Sequence, residues 1–379
     1  MRIVQVAPFF HPHAGGVESH VRAISAELVR QGHDVTVVTS AHDRRLPLRD
    51  ELDGVHVVRF PTSAVVYNTP IAAGVGRLVR EVASGADVAH LHFPPPVTAY
   101  SASRALRRSG VPTCLTYHCD LYLPGVLGRI LTGIYGRVFL PPTLDRVGRV
   151  IVHTRSYGAT SAPLRGRDLA IIPSSVDVQR FRPDLDAGPL RAKLGLDGHR
   201  VIAFAGRLVP HKGVDGVLRI LPELPNDVDF VVIGRGPRLP VLRGLARRLG
   251  VEDRVRFLTE VTDDELPTHL RMADLFVFPS QNRLEGFGLV VAEALATGLP
   301  VVIADMPGVR EVIEPGREGL LVEPMIAGDL GARVRELLDD PERRRRMSTA
   351  ARRRAEERYA LPKVARELTD VYSTLRAAG

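Results

Sequence analysis

The sequence predicts an α/β protein made of two doubly wound parallel sheets, and three observations lead there. Short, nearly continuous apolar runs alternate with helical patterns along the whole length, as strands covered on both faces require. The alternation comes in two blocks, which implies two domains of one architecture. At 379 residues the chain also exceeds the usual size of a single domain.

The first block has strand patterns at residues 3–7, 34–39, 55–60, 88–92, 113–117 and 150–152. A helical pattern over 17–31 is closed by Gly32, where a helix end favours glycine. The second block has strands at 201–205, 230–233, 255–257, 275–278 and 301–303. Between the blocks, residues 181–189 are turn-rich and weakly patterned, which places the join there. The expected domains are 1–185 and 190–358, followed by a terminal helical segment, 359–379.

Composition narrows the function. Hydrophobic residues make up 45% and charged residues 25%, an ordinary globular balance. No apolar run approaches the ~20 residues of a membrane-spanning helix. The start runs straight into strand patterning and does not read as a signal peptide. Cys114 and Cys119 supply no disulfide framework, so the cytoplasm is the expected compartment. Residues 1–190 hold 21 Arg against 15 Asp and Glu, a balance of +6 out of a total of +8. A basic first half suits an anionic membrane surface or a phosphorylated acceptor. No nucleic-acid-binding motif accompanies the charge, so nucleic acid is not an expected partner. Residues 126, 127, 130, 131, 134, 135, 138 and 139 form an apolar helical face with Arg129 and Arg137 opposite, to be buried in the core or cleft, or else laid on a membrane.

Ligands of open α/β sheets bind beyond the carboxyl ends of the strands, so the chemistry is sought in the loops there. The strand at 275–278 leads into a loop carrying Glu285, Gly286 and Gly288, then a helix carrying Glu293 and closed by Gly298. The N–H groups of Phe287, Gly288 and Leu289 would face a docked anion, with a carboxylate on either side. A phosphate centre with hydroxyls at both ends fits that layout, as in a nucleotide-diphosphate sugar. After 201–205 come Arg207 and Lys212, a planar fork and a point charge suited to one diphosphate. Gly234 and Gly236 follow 230–233 but complete only part of a dinucleotide fingerprint.

In the first block, Gly15 and Gly16 precede a helix and either admit a phosphate or simply make a turn. His118, with Asp120 close by, follows 113–117; it either touches a reacting sugar or hydrogen-bonds backbone. His90 and His92 close the preceding strand, with the acceptor side as one reading. No His, Cys and carboxylate spacing completes a metal site.

Together these residues resemble the retaining glycosyltransferase family 4. The resemblance rests on Gly-Gly-Val-Glu at 15–18, Gly-Arg to Lys-Gly at 206–213, Ile-Gly-x-Gly-Pro at 233–237, and above all Glu-x7-Glu at 285–293. It implies the glycosyltransferase B-type fold, with two Rossmann-like domains facing each other across a cleft and a final helix, 361–378, crossing back to the first. It implies that Arg207 and Lys212 bind the donor diphosphate and that the Phe287–Leu289 amides and Gly16 approach it. Glu293 would hold the ribose, Glu285 the sugar hydroxyls, and His118 would contact the donor sugar near the reacting carbon. No cofactor or metal is implied. The acceptor domain would be the first and the nucleotide-sugar domain the second. One departure is Ser174-Ser175-Val-Asp177, where many members have Asn-Gly before Val-Asp.

The expected activity is metal-independent, retaining transfer of a hexosyl-type sugar to a glycolipid or polysaccharide acceptor. For a lipid acceptor, the place would be the inner face of the membrane. Rival readings are a soluble small-molecule acceptor, a sugar-nucleotide epimerase, and a non-catalytic nucleotide-sugar-binding protein. The nucleotide base and the sugar are not read from the sequence.

Overall fold

The apolar runs of the first block pair into one eight-stranded sheet in the computed structural model, which describes residues 1–13, 15–123, 125–324 and 326–378. Its strands are β1 (Arg2–Val6), β2 (Asp34–Ala41), β3 (Arg49–Leu52), β4 (Val55–Pro61), β7 (Val88–Phe93), β8 (Thr113–Tyr117), β9 (Arg149–Val152) and β10 (Leu169–Ile171). A separate antiparallel hairpin joins β5 (Ala64–Val66) and β6 (Thr69–Ile71). The sheet order is β10-β9-β8-β7-β1-β2-β4-β3, parallel except for the edge pair β3–β4. In register, Ile3 stands between Val35 and Val88. Every residue of β7 is buried, which is why that run shows no polar alternation.

The second block forms a six-stranded parallel sheet from β11 (Arg200–Ala205), β12 (Val228–Ile233), β13 (Val255–Leu258), β14 (Leu275–Phe278), β15 (Val301–Ala304) and β16 (Gly319–Val322). Its order is β13-β12-β11-β14-β15-β16. Each sheet belongs to its own compact unit: Met1–Ser175 with Leu361–Gly379, and Val176–Ala360. The chain passes from the first unit at Ser175, not within 181–189. The reason is packing: Phe181 is buried in the core of the second unit, and the Asp177 carboxylate caps the amides of Gln179 and Arg180. The return point lies beside the exit point, since the Val176 amide donates to the Tyr359 carbonyl at 2.8 Å.

The helix Leu361–Ala378 belongs to the first unit. Its buried face, Leu361, Val364, Ala365, Leu368 and Tyr372, packs with Ile3 of β1 and with Val21, Ile24 and Leu28 of the helix Gly16–Arg30. The last stretch of the chain therefore closes one face of the first sheet.

The amphipathic stretch differs from a core or cleft helix. It folds as a helix over Gly125–Ile134, a wide π-helical turn over Tyr135–Phe139 and a short helix over Leu140–Leu144. Tyr135 and Leu140 are buried, but Val126, Leu127, Ile130, Ile134 and Val138 are exposed, Val126 at 68%. Helical periodicity gives a stripe its composition but not its partner. Here Tyr135 and Leu140 face the protein and most of the stripe faces outward. The strands β3 and β6 carry no continuous apolar run, and the runs of β5, β10 and β16 are only three or four residues long, too short to separate strand from loop by pattern.

Replacing Leu368 with Ala should destabilise the first unit by roughly 2–5 kcal/mol, the usual cost of emptying a buried leucine site. Faster amide exchange across β1 and the helix Gly16–Arg30 is the expected readout.

Candidate functional site

In the second unit the strand order reverses between β11 and β14, which are hydrogen-bonded neighbours whose following loops diverge. Two predicted loops meet at this point. After β11 the chain makes a one-turn helix, Pro210–Lys212, and the carbonyl of its His211 accepts from the Gln281 amide at 2.7 Å and the Ser280 hydroxyl at 3.2 Å. This seam fixes the β11 loop on the loop after β14. It brings the Lys212 ammonium into an ion pair with the Glu285 carboxylate and sets it 4.7 Å above the Phe278 ring. The pair is mostly enclosed, at 13% and 15% exposure. Arg207 stands exposed on the same loop. The His211 imidazole is held below its ordinary pKa by burial and then by the Lys212 charge; Glu285 opposes and Arg207 adds. Arg207, Lys212 and Glu285 thus share one electrostatic neighbourhood.

Two glycines set the backbone around it. At Gly234, beyond β12, φ is 135° and a Cβ would lie 2.1 Å from the Gly206 carbonyl oxygen, so the two turns approach as only glycine allows. Gly288 adopts φ 82° and caps the helix Leu289–Ala296, as the sequence predicts. The amides of Phe287, Gly288 and Leu289 lie at this helix start, where backbone donors lack intrahelical partners. The Phe287 side chain is buried edge-on against Tyr359 at 5.5 Å between ring centroids, so only its backbone is offered. Glu293 lies half-buried in the helix. Burial pushes its carboxyl up to about 7, with Arg180 pulling down and Asp263 pushing up.

The first sheet reverses its order between β1 and β7. Gly15 caps the helix Gly16–Arg30 with extended backbone, and beyond its chain neighbours and its own helix no atom lies within 4 Å of where a Cβ on Gly16 would sit. Packing within the described residues therefore does not demand glycine at 16.

The carboxyl ends of β1, β7, β8 and β9 carry a buried imidazole array. His118 Nε2 lies 3.0 Å from His92 Nδ1, and His118 Nδ1 lies 2.9 Å from His153 Nε2. His153 Nδ1 reaches the Ile172 carbonyl at 3.0 Å, and His92 Nε2 reaches Gln5 Oε1 at 2.7 Å. His90 is bonded through one nitrogen to the Tyr372 hydroxyl and through the other to the Thr116 hydroxyl, each at 2.7 Å. His20 packs edge-on against His118 and His153 at 5.5 Å.

These contacts correct two sequence expectations and qualify a third. His90 and His92 do not line an open acceptor surface: both are fully buried with both ring nitrogens engaged. His118, expected near the reacting sugar, is 8% exposed, and both its nitrogens are engaged by neighbouring rings. Asp120 is a bracket, accepting from the Tyr117 hydroxyl at 3.0 Å and the Ser161 hydroxyl at 2.6 Å. Gln5, His153 and Tyr372 escaped sequence reasoning. A polar Gln within the apolar run at 3–7 and a His directly after 150–152 were the available signals; nothing marked Tyr372. Among the described residues no group of His, Cys, Asp or Glu is arranged to hold a metal ion, and no helix is long and apolar enough to cross a membrane.

Burial dominates the imidazoles. It holds His90 down at about 3 and His153 at about 4, and keeps His20, His92 and His118 well below their ordinary value. An unfolded chain protonates these rings near pH ~6.5 while the native unit does not. Their stabilising effect is therefore complete above that pH and is lost as pH falls toward 4, by up to ~1.4 kcal/mol per pH unit for each ring. Glu293 and Glu318, raised in the native state by burial, run the other way but belong to the second unit. Urea unfolding of the first unit should show a midpoint that drops steadily from pH 7 to pH 5, and a flat midpoint would contradict the buried neutral array.

Comparison with known proteins agrees with this architecture. Residues 187–354 match the family model Glycosyl transferases group 1, and residues 14–180 match Glycosyltransferase Family 4. A GDP-mannose-dependent alpha-(1-6)-phosphatidylinositol monomannoside mannosyltransferase of Mycolicibacterium smegmatis is 32% identical over 88% of this chain and 88% of its own. A phosphatidyl-myo-inositol mannosyltransferase of the same organism is 29% identical over 100% of this chain and 95% of its own. Among solved structures, the sucrose-phosphate synthase of Thermosynechococcus elongatus superposes with a TM-score of 0.82 at 21% identity, covering 100% of both chains, which shows the shared two-domain B-type fold. The chain belongs to glycosyltransferase family 4 and is a glycosyltransferase.

Proposed function

We propose that the protein transfers a hexosyl sugar from a nucleotide-diphosphate donor to a phosphatidylinositol-type glycolipid, with retention of configuration and without a metal. The observation that carries the donor reading is the Lys212–Glu285 pair at the strand-order reversal of the second unit, with Glu293 further along the adjoining helix. Lys212 and Arg207 hold the diphosphate and stabilise the charge that develops as it leaves, the part a cation plays in other transferases. An ammonium has three donors, so Lys212 can keep Glu285 and still bind phosphate oxygens. Glu285, oriented by that pair, accepts from the sugar hydroxyls. Glu293 accepts from the ribose hydroxyls. The first unit takes the acceptor.

The lipid acceptor is supported by the two mannosyltransferase relatives, both named for phosphatidylinositol substrates. The exposed apolar side chains at 126, 127, 130, 134 and 138 sit on the same segment as Arg129 and Arg137, a composition suited to the interface of an anionic bilayer. A lipid acceptor would then be met at the surface that holds it. GDP-mannose is the first donor to test, because one relative is named for it.

Lys212→Ala should abolish transfer from GDP-mannose to phosphatidylinositol in mixed micelles, and near-normal turnover would overturn the diphosphate assignment. Anomeric analysis of the product by NMR tests retention. Ribose hydroxyls need an ionised Glu293, so below pH ~7 donor binding should release a proton and weaken as pH falls. Calorimetry with the nucleotide sugar in buffers of different ionisation enthalpy should show that release in the wild type and lose it in Glu293→Gln. Flotation with phosphatidylinositol vesicles at low salt should carry the wild type but not Val126→Glu/Ile130→Glu. Equal flotation of both would overturn the membrane-facing role of this helix.

A further inference from the structure

The imidazole array poses a proton-counting problem whose solution assigns a role to Gln5. Three rings, His153, His118 and His92, lie in series between two end groups, the Ile172 carbonyl and the Gln5 side-chain amide. Four hydrogen bonds link the five groups, and each needs one proton. With Gln5 Oε1 toward His92, both ends only accept, so the three rings must supply four protons. Neutral imidazoles carry one each. That orientation therefore demands one imidazolium inside the array.

Turning the Gln5 amide end for end removes the demand. Its NH2 then donates to His92 Nε2, and its oxygen accepts from the Tyr372 hydroxyl, which lies 3.4 Å from the amide nitrogen in the present orientation. The Tyr372 oxygen is left to accept from His90 Nδ1–H, and His90 Nε2 accepts from the Thr116 hydroxyl. Each of these hydrogen bonds then has one donor and one acceptor. His153, His118 and His92 each carry their proton on Nδ1, and the array is neutral.

The surroundings select this second state. The groups facing the three rings are His20 from the helix Gly16–Arg30, His90 from β7 and, through Gln5, Tyr372 from the last helix. No carboxylate is among the charges that shift these rings in the described residues. An imidazolium here would be buried without a counter-charge and costly.

We propose that Gln5 is a positioning residue that acts through His92, its amide nitrogen turned to that ring, to hold the array neutral and His118 in its Nδ1–H tautomer. The functional consequence rests on the glycosyltransferase reading above together with the family resemblance, which implies that His118 contacts the donor sugar near the reacting carbon. Glycosyl transfer builds positive charge on the sugar ring, and a neutral His118 does not oppose it. The last helix has a part in this, because Tyr372 is the acceptor-and-donor that lets Gln5 keep its orientation.

The test begins with the wild type. Long-range ¹H–¹⁵N correlation of the histidine rings at pH 7.5, assigned with His153→Asn and His92→Asn, should show His92, His118 and His153 neutral with the proton on Nδ1. A proton on Nε2 of His118, or an imidazolium in the array, overturns the proposal. The second arm is Gln5→Glu, whose carboxylate can only accept and so places a proton on His92 Nε2, either as an imidazolium paired with that carboxylate or by reversing the neutral rings and leaving the Ile172 carbonyl without its donor. In it His92 should carry a proton on Nε2, and kcat should fall about 10- to 100-fold, the range seen when the partner that orients a metal-bound imidazole is lost. KM for the donor should stay within about twofold of the wild type. A proton on His92 Nε2 with unchanged kcat would overturn the positioning role. The ring spectra need no substrate, so absence of transfer from every donor would refute the reaction reading and leave the array assignment standing on its own evidence.

Discussion

Both units depend on one topological constraint: a parallel sheet whose strand order reverses once leaves a gap above the carboxyl ends of two neighbouring strands. In the second unit those strands are β11 and β14, and the gap draws together two loops that lie far apart in sequence. The His211 carbonyl, held by Ser280 and Gln281, is the seam. With that seam made, Lys212 and Glu285 have little freedom but to pair, and the mostly enclosed pair is a charge arrangement ready for a phosphate and a polyhydroxylated group.

The first unit uses the same reversal differently. Between β1 and β7 it places a set of buried imidazoles, bonded one to the next and packed beneath the helices Gly16–Arg30 and Leu361–Ala378. Cations and carboxylates concentrate at the reversal of one unit, neutral imidazoles at that of the other. The buried array also explains why the last helix returns to the first unit: Tyr372 joins the polar network while Leu361, Val364 and Leu368 close the apolar face around it.

The exposed stripe at 126–138 and the enclosed array show opposite ways in which pattern and environment part. Apolar periodicity predicts a helix correctly and says nothing of what covers it; here most of the stripe remains outside. Histidines at strand ends suggest contact with a ligand, yet β7 is buried along its length, so His90 and His92 turn into the unit and bond there. In both cases the decisive factor was which neighbours a face meets.

The sequence by itself determined the two-block α/β architecture, the terminal helix, the glycine-capped helix after Glu285 and the family. These depend on local patterning and on motifs whose residues lie within a few positions of one another. Tertiary structure alone decided that Lys212 pairs with Glu285, that burial moves Glu293, that the unit boundary lies at Ser175, and that Gln5, His92, His118, His153 and Tyr372 form one network. Each of these joins residues tens to hundreds of positions apart or depends on loss of water. A sequence carries neither distance nor dielectric, and the sheet that brings β1, β7, β8 and β9 side by side supplies both.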